Sequence, residues 1–504
     1  MRGLPQPGGA VVGLRAPLWL VPVALALAAC LPAQARAAVV KTEPSVRPGF
    51  KRALTDYVVR CPDRSLTVRV RRGRGTKVKV AGRRTRKKRT VAIEPGQARR
   101  IVVRKHGRVT RHFVRCLPDY FPRWRYRARG PQKPRWYLMT PNHTLTPTSV
   151  ARPADQLVAI FNHHGVPVWW YRSPAGGWVR DARLIGGNIA FAETGSGRGF
   201  ARFDSDAYRI LRPDGSLVRT IRAVGSPTDF HDIKRLGRDF LVVTYRPRPD
   251  VDLSAYGGPS DATVVDSEIQ RINPRGRVVW SWNSSDHIGL AETGRMWDVV
   301  NQGEAMPDGS KVYDPTHINS VEPVGRGDLI ISLRNTDAVY RIRMRDGRIR
   351  WKLGGTRTPR SLRVVGDPAD YPLGAQHDAR VWRGTVSVFD NSWLLDRRPR
   401  VVRYEIDMKR RRAILRERVT SRRVPGPSTC CGNARKLGNG DWVIGWGFTS
   451  MMEVRDRRGA LLNRLRFDDE FFSYRSVPAP ARAVSAASLR AGMNALYEAA
   501  GEAD

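Results

Sequence analysis

The chain has 504 residues, of which 41% are hydrophobic and 27% are charged. This balance excludes a disordered chain, and the length allows more than one domain. Lys and Arg number 89 against 46 Asp and Glu, which gives a formal net charge of +43. The 46 Gly and 35 Pro follow no strict period, which excludes collagen and favours a turn-rich, all-β protein over a helical bundle.

The N-terminus has the pattern of an export signal. Arg2 and Arg15 precede an apolar stretch at 18–29, and small residues follow it at 33–37. We therefore predict an export signal over residues 1–37, which places the mature protein outside the cytoplasm, extracellular or at the cell surface. The sequence Leu27-Ala28-Ala29-Cys30 also resembles a lipoprotein signal, in which Cys30 would be the lipidated first residue of the mature chain. These two forms of the N-terminus stay open.

Residues 45–125 are predicted to form a basic β-sandwich domain. Between positions 41 and 130 there are 29 Lys and Arg but 5 Asp and Glu. Segments such as 77–80 and 100–104 alternate apolar and basic residues, which is the period of strands with one face in water. No aromatic residues interleave the densest run at 83–89 and no nucleic-acid motif is present, so nucleic acid is not the expected partner. An anionic cell-wall or lipid surface fits this charge, and a merely solvated basic surface is the alternative.

The cysteines divide into pairs once the chain is exported. Cys61 and Cys116 flank the strand-rich region, and we expect them to tie its first and last strands together. Cys430 and Cys431 are adjacent. They form either a vicinal disulfide that rigidifies a loop or two free or separately buried thiols.

Residues 136–475 contain a repeat. Each copy has an apolar strand, a polar turn that usually contains Gly, and a second apolar segment. The copies lie at 160–169, 211–218, 272–280, 344–351, 406–413 and 454–461. A second phrase precedes most of them, and its copies begin at Arg180, His231, His317, His377 and Gly432.

Two hairpins in each repeat make a four-stranded unit, and six such units predict a six-bladed β-propeller over residues 136–475. The long interval between His231 and His317 predicts a loop insertion at 284–315 over one mouth of the propeller. The Ala-rich tail at 476–504 matches neither phrase, and it is expected to form a short helix or to stay loose.

Equivalent positions in a propeller lie on a ring around its axis, so His231, His317 and His377 are predicted to converge. The strand after His317 returns to the same mouth and brings Arg334 beside it. Three histidines are common zinc ligands, but an adjacent arginine argues against a cation. Three imidazoles and a guanidinium instead favour a small tetrahedral anion, with no metal and no cofactor expected. Asp232 and Asp378 follow two of the histidines and are predicted to be structural or to orient them.

Several phrases together resemble the bacterial arylsulfotransferase family. They are Asp314-Pro315-Thr316-His317-Ile318-Asn319-Ser320 with Ser332-Leu333-Arg334-Asn335, Gln376-His377-Asp378-Ala379-Arg380, and Gly432-Asn433-Ala434-Arg435 with Gly440-Asp441-Trp442-Val443-Ile444-Gly445-Trp446-Gly447. The similarity covers roughly residues 136–475. The resemblance implies a six-bladed propeller, often with an N-terminal β domain, that moves a sulfuryl group from an aryl sulfate to a phenol without a nucleotide donor.

The resemblance also implies the roles of the site residues. His377 is the nucleophile that becomes sulfated, while His231, His317 and Arg334 bind the sulfuryl group and assist proton transfer. Asn319, in the family phrase, is a further expected substrate-binding residue. Which of His231 and His317 is the acid and base stays open.

Two other functions remain as alternatives. A non-enzymatic surface propeller could bind sulfated or phenolic ligands without turnover, because a fold does not fix a function. A quinone-dependent dehydrogenase propeller is the weaker alternative, because no calcium-ligand cluster or cofactor-stacking repeat is seen in the sequence.

Overall fold

Alternation of buried and exposed residues shapes the N-terminal part of the chain into a β-sandwich. The computed structural model describes residues 40–71, 75–131, 134–143, 156–173, 177–195, 204–424, 426–468 and 471–501. The predicted export signal and Cys30 lie outside these residues. The sandwich strands are β1 (Val40–Glu43), β2 (Asp56–Arg60), β3 (Ser65–Val70), β4 (Thr76–Val80), β5 (Arg83–Thr85), β6 (Lys88–Ala92), β7 (Ala98–Lys105) and β8 (Arg108–Leu117).

The two sandwich sheets have the orders β1-β3-β6 and β2-β8-β7-β4-β5. A disulfide joins Cys61, directly after β2, to Cys116 in β8. The pairing is as predicted, because it ties β2, the first strand within residues 45–125, to its parallel neighbour β8, the last sandwich strand. The next strand, β9 (Trp124–Ala128), leaves the sandwich and pairs with the last propeller sheet.

Six further sheets, each with four antiparallel strands from inside to outside, follow around one axis. The first sheet contains β10 (Trp136–His143), β11 (Leu157–Asn162) and β12 (Pro167–Arg172). The second contains β13 (Trp178–Ile185), β14 (Asn188–Thr194), β15 (Ala207–Leu211) and β16 (Leu217–Ile221). The third contains β17 (Thr228–Leu236), β18 (Asp239–Val251), β19 (Ala262–Ile272) and β20 (Val278–Asn283), with β21 (Glu304–Ala305) and β22 (Lys311–Tyr313) added beside β19.

The other sheets repeat this pattern. The fourth contains β23 (Ile318–Val324), β24 (Asp328–Leu333), β25 (Ala338–Arg343) and β26 (Ile349–Gly354). The fifth contains β27 (Arg363–Val365), β28 (His377–Trp382), β29 (Thr385–Asp390), β30 (Arg400–Asp407) and β31 (Arg412–Thr420). The sixth contains β32 (Asn433–Lys436), β33 (Trp442–Gly445), β34 (Met451–Arg455) and β35 (Leu461–Phe467), and β36 (Phe471–Ala479) returns to the first sheet.

The chain ends close the ring. β36 pairs antiparallel with β10, so that Trp136 lies opposite Ala479 and the first sheet obtains its innermost strand from the C-terminal part of the chain. The innermost strands β36, β13, β17, β23, β28 and β32 contact one another in this order, and β32 contacts β36 again. Radial closure of this kind leaves only short, protected sheet edges. The prediction of an all-β propeller is confirmed.

Each copy of the first repeated phrase is the hairpin that joins the two outer strands of a sheet. Asp and Asn side chains accept hydrogen bonds from backbone N–H groups two residues further on, as Asp214 does from Ser216 and Asn273 from Arg275. The following glycine, such as Gly215 with φ of 84°, has the left-handed conformation that this turn requires. Turn chemistry therefore accounts for the repeat in the sequence.

The helices are few. The short 3₁₀ helices are Ser254–Tyr256, Ser284–Asp286, Leu290–Met296, Arg334–Thr336 and Ala481–Ala483, and the α-helices are α1 (Trp297–Val300) and α2 (Ala486–Gly501). The tail thus contains a helix, α2, which packs on β12. Its Arg490 pairs with Asp56 of the sandwich at 2.8 Å, so the tail joins the sandwich to the propeller. Among the described residues, none of the helices is long and apolar enough to cross a membrane.

A buried cluster of charges fills the propeller axis, and we call it the axial ion cluster: Asp181, Arg183, Asp232, Asp378, Arg380, Arg435 and Arg475. Arg475 has no solvent exposure in its side chain, and its Nη1 lies 2.7 Å from Asp181 Oδ1. Arg380 Nη2 forms ion pairs with Asp232 Oδ2 at 2.8 Å and with Asp378 Oδ1 at 2.9 Å. Asp232 and Asp378 are therefore structural.

We expect Arg475→Met to lower the free energy of unfolding by about 3–5 kcal/mol, because it leaves buried carboxylates without their central partner. Urea denaturation followed by tryptophan fluorescence measures this. Arg416 pairs with Glu405 at the surface, so Arg416→Met is the matched control and should change stability by less than about 1 kcal/mol. Equal stability of the two variants would contradict a structural role for the axial ion cluster.

Candidate functional site

Two of the converging histidines are each held by a carboxylate. His231 Nδ1 lies 2.6 Å from Asp229 Oδ1, and His317 Nδ1 lies 2.6 Å from Asp314 Oδ2. In both cases the carboxylate also accepts the backbone N–H of its histidine, at 2.8 Å. A carboxylate on Nδ1 fixes the proton there and leaves Nε2 as the reactive nitrogen.

His377 has a neutral partner instead. Its Nε2 accepts the backbone N–H of Cys431 at 3.1 Å, so the proton of the neutral ring is on Nδ1. This Nδ1–H group faces Asn391 Oδ1 at 2.8 Å and the Ala375 carbonyl at 3.1 Å. His377 thus has a fixed tautomer whose Nε2 carries a lone pair, as a nucleophilic imidazole requires.

Arg334 lies beside these histidines. The return of β24 to the start of β23 puts its backbone N–H 2.9 Å from the His317 carbonyl, as the sequence predicted. The guanidinium donates to Asn335 Oδ1 and to the Thr429 carbonyl at 3.1 Å, and it lies over the Trp393 ring at 4.5 Å. These contacts fix a buried cation at the edge of the histidine ring.

The electrostatics keep two imidazoles neutral. Burial lowers the pKa of His377 well below its usual value, and the positive charge of Arg334 lowers it further. Burial also lowers the pKa of His231, with further contributions from His317 and Arg475. Burial lowers the pKa of Arg334 to about 10, so this side chain remains cationic at neutral pH.

These residues line one cavity of about 460 Å³. Its floor holds His231, His317, His377, Arg334, Arg180 and Tyr474, and its walls include Phe230, Trp393, Phe448, Phe472 and the Cys430–Cys431 pair. Val299, Val300 and residues 302–304 of the predicted insertion also line it. The cavity therefore combines a cationic floor with aromatic walls, which suits a ligand with an anionic group on an aromatic ring.

Cys430 and Cys431 form a vicinal disulfide, which decides between the two alternatives left by the sequence. The next residue, Gly432, stands where three other units carry histidine. Its φ is 97°, and a Cβ atom there would lie 2.6 Å from the Phe389 ring and 2.9 Å from the Gly445 carbonyl. The sixth sheet therefore contributes a disulfide loop and a backbone N–H to the site in place of an imidazole.

The structure brings His231, His317, His377 and Arg334 together as predicted. The prediction for Asn319 is wrong, because its side chain is fully buried and donates to the Gln376 carbonyl at 2.7 Å instead of lining the cavity. Asp232 and Asp378 pair with arginines of the axial ion cluster and not with the imidazole rings, which contact Asp229 and Asp314 instead.

Sequence reasoning missed five residues of the site: Arg180, Asp229, Asp314, Asn391 and Tyr474. A signal existed for three of them. Asp229 and Asp314 precede their histidines by two and three positions, and Arg180 begins its copy of the second phrase as the histidines begin theirs. Asn391 and Tyr474 had no such signal, because only the folded sheets bring them to the cavity.

Taken together, this is a β-propeller whose central cavity places the buried cation of Arg334 beside a neutral imidazole. The sequence profile of the arylsulfotransferase (ASST) family matches residues 183–468, more than half of the chain. The protein belongs to the arylsulfotransferase family, whose members are sulfotransferases acting on aryl sulfates and phenols. A search of curated proteins finds no match.

Solved structures with a similar fold are distant. A protein of unknown function from Bacteroides caccae has 14% identity and a TM-score of 0.40, with 68% of this chain and 98% of that chain covered. Virginiamycin B lyase from Staphylococcus aureus has 9% identity and a TM-score of 0.34, with 68% and 87% covered.

The side chains of the site do not form a set of metal ligands. Within the ranges that the structure describes, no group of three or more His, Cys, Asp and Glu could hold a metal ion. In the cavity, the Nδ1 atoms of His231 and His317 are already held by carboxylates, and Arg334 adds a positive charge.

The pKa of His377 can be measured by NMR of histidine-labelled protein, with the signal assigned by its loss in His377→Gln. Because burial and Arg334 both lower this pKa, we expect the titration midpoint of His377 to lie below the ordinary histidine value of about 6.5. Arg334→Gln removes the cation and should raise the midpoint. A His377 midpoint at or above 6.5 in the unaltered protein would contradict this description of the site.

Proposed function

We propose that the protein transfers a sulfuryl group from an aryl sulfate to a phenol through a sulfated His377, without a nucleotide donor. The observation that carries the proposal is the state of His377. Its Nε2 is a buried acceptor with the proton fixed on Nδ1, next to the cation of Arg334. A neutral nucleophile beside an anion-binding group is what attack on a sulfate ester requires.

In the first half of the reaction, Arg334 binds non-bridging oxygens of the sulfuryl group and Nε2 of His377 attacks sulfur. The Cys431 N–H, which donates to Nε2 of His377, turns to a sulfuryl oxygen as the new bond forms. The S–O bond to the aryl group breaks, its electron pair goes to the aryl oxygen, and a phenolate leaves. The His377 Nδ1–H stays hydrogen-bonded to Asn391 Oδ1. This hydrogen bond stabilises the positive charge that develops on the ring.

In the second half, a phenol takes the place of the departed phenolate and its oxygen attacks the sulfur bound to His377. The N–S bond breaks, and its electron pair returns to Nε2 of His377. His231 and His317 each present Nε2 and carry a carboxylate on Nδ1. Either can remove the phenol proton, and the carboxylate stabilises the imidazolium that results. Two successive displacements at one nucleophile predict ping-pong kinetics.

The aromatic walls fit this substrate class. Phe230, Phe448 and Phe472 surround the floor, and the Phe448 and Phe472 ring centroids are 4.6 Å apart. Flat apolar surfaces of this kind bind an aryl ring on either side of the transfer. The alternative function, a propeller that binds sulfated or phenolic ligands without turnover, uses the same walls but needs no nucleophile.

We expect His377→Ala to reduce transfer from p-nitrophenyl sulfate to phenol by at least about 10⁴-fold, because no other group forms the covalent intermediate. Release of p-nitrophenol with and without phenol measures this. His287 stacks on Trp282 outside the cavity, so His287→Ala is the matched control and should keep full activity. Binding of aryl sulfates by the unaltered protein without any release would favour the binding propeller.

We also propose that the exported protein binds an anionic lipid surface through one face of its sandwich, which we call the basic face: Lys77, Lys79, Arg84, Arg100, Arg104 and Arg111. The strand registers place Arg84 opposite Lys79 and Lys77 opposite Arg104. All six are exposed, and none takes part in an ion pair among the described residues. Like charges on neighbouring strands are destabilising, and an anionic surface would offset this repulsion.

Vesicle co-sedimentation tests the basic face. Replacement of Lys79, Arg84 and Arg111 by Glu should weaken binding to vesicles containing phosphatidylglycerol by at least about 100-fold, and high salt should have the same effect. The matched control replaces three exposed arginines of propeller turns by Glu: Arg275, Arg277 and Arg345. This variant has the same change of charge elsewhere on the protein and should bind the vesicles normally. Equal loss of binding in both triple variants would contradict a specific basic face, and binding to anionic wall polymers alone would replace lipid as its partner.

A further inference from the structure

The innermost strands place one residue from each sheet around the floor of the cavity. In ring order these are Tyr474, Arg180, His231, His317, His377 and Gly432. Three members share a second feature. Arg180, His231 and His377 are each followed by an aspartate, and all three aspartates face Arg475, at 2.7, 3.8 and 3.4 Å. Arg180 therefore occupies in the second sheet the position that histidines occupy in the third and fifth.

The ring order also fixes what Arg180 faces. The innermost strands contact one another in sequence and close into a ring of six. In such a ring the second and fifth members lie on opposite sides of the axis. Arg180 belongs to the second sheet and His377 to the fifth, so the guanidinium and the nucleophile lie across the cavity from each other.

The surroundings of Arg180 hold its guanidinium in place. The residue is 4% exposed and lines the cavity, and its guanidinium lies 4.9 Å from the Phe230 ring centroid and 5.4 Å from that of Trp178. Burial lowers its pKa to about 10, so it remains a cation at neutral pH. Its charge acts on neighbouring His231, whereas the charge of Arg334 acts on His377.

We propose that Arg180 binds the bridging oxygen of the aryl sulfate and stabilises it as a phenolate, an inference that rests on the sulfuryl transfer proposed above. The nucleophile and the leaving oxygen lie on opposite sides of the transferred group in an in-line displacement. With His377 on one side of sulfur, the leaving oxygen faces the side on which Arg180 lies.

Both half-reactions use side chains that line the cavity. Nε2 of His377 gives its lone pair to sulfur, and the electron pair of the breaking S–O bond goes to the aryl oxygen. The product is a phenolate that accepts N–H groups of Arg180. In the second half, the oxygen of the incoming phenol binds Arg180, and its proton goes to Nε2 of His231 or His317. The site therefore has two guanidinium groups with separate tasks. Arg334 binds the sulfuryl oxygens, and Arg180 binds the aryl oxygen.

The dependence of the rate on the leaving group tests this assignment. The measurement follows a demonstration that the unaltered protein transfers the sulfuryl group. Arg180→Gln should lower kcat/KM by roughly 10²–10³-fold with phenyl sulfate, the loss expected for one oxyanion donor. The loss should be smaller with 4-nitrophenyl sulfate, because that phenolate needs less stabilisation. Arg180→Lys keeps the charge and should recover part of the activity. The same factor of loss for both donors would overturn the proposal, since a purely structural role would not distinguish them.

Arg219 provides the matched control. Its guanidinium also lies over a phenylalanine ring, Phe240, at 5.5 Å, but it is on the outer strand β16 and does not line the cavity. Arg219→Gln should leave both rates and their ratio unchanged. A loss in Arg219→Gln equal to that in Arg180→Gln would overturn the assignment.

A binding measurement separates this inference from the proposed function. The visible absorbance of p-nitrophenol reports its ionisation, so its pKa can be titrated while it is bound. Arg180 should lower the pKa of the bound phenol, and Arg180→Gln should abolish that shift. A shift without any sulfuryl transfer would contradict the proposed function but support the role of Arg180. Transfer by the unaltered protein, with the same bound-phenol pKa in Arg180→Gln, would overturn the inference alone.

Discussion

The contacts of Arg475 are the constraint on which the rest of the structure depends. Its buried guanidinium faces an aspartate from each of three sheets and donates to the carbonyls of His231 and Asn319 at 2.6 and 2.7 Å. Each aspartate directly follows a residue of the cavity floor. The ion pairs that hold the propeller axis together therefore also direct Arg180, His231 and His377 into the cavity. Because buried charges are tolerated only when they are paired, the position of these floor residues is as fixed as the axis itself.

The same arrangement sets the chemistry of the floor. Burial lowers the pKa of His231 and His377, and arginines below and beside the imidazoles act in the same direction. A site that binds an anion would ordinarily gain from protonated histidines, but a nucleophile and a base must be neutral. Here arginines supply the positive charge, and the imidazoles keep their lone pairs. The three histidines then differ by their Nδ1 partners, because the carboxylates of Asp229 and Asp314 hold His231 and His317, whereas Asn391 gives His377 a neutral partner.

Much of this could be predicted from the sequence because a repeat turns one-dimensional spacing into a ring. Equivalent starts of the second phrase placed His231, His317 and His377 together, and the strand return placed Arg334 beside them. Prediction failed where a partner comes from outside the repeat. Asn319 stands in a family phrase, yet its side chain turns under the floor toward Gln376. Asp232 and Asp378 could not be assigned between two roles until Arg475, which lies near the C-terminal end of the ring, was seen to pair with them. Asn391 and Tyr474 reach the cavity through sheet pairings that no local pattern encodes.

The most direct test of the account is to mix the protein with p-nitrophenyl sulfate in the absence of an acceptor, and to quench it within milliseconds into base. A sulfated His377 intermediate predicts a burst of p-nitrophenol equal in molar amount to the enzyme present. It also predicts a peptide containing His377 that has gained one SO₃ group. Addition of phenol after the burst should return that peptide to its original mass. Release of p-nitrophenol without a sulfated His377 peptide, or with the sulfuryl group on another residue, would contradict the central claim.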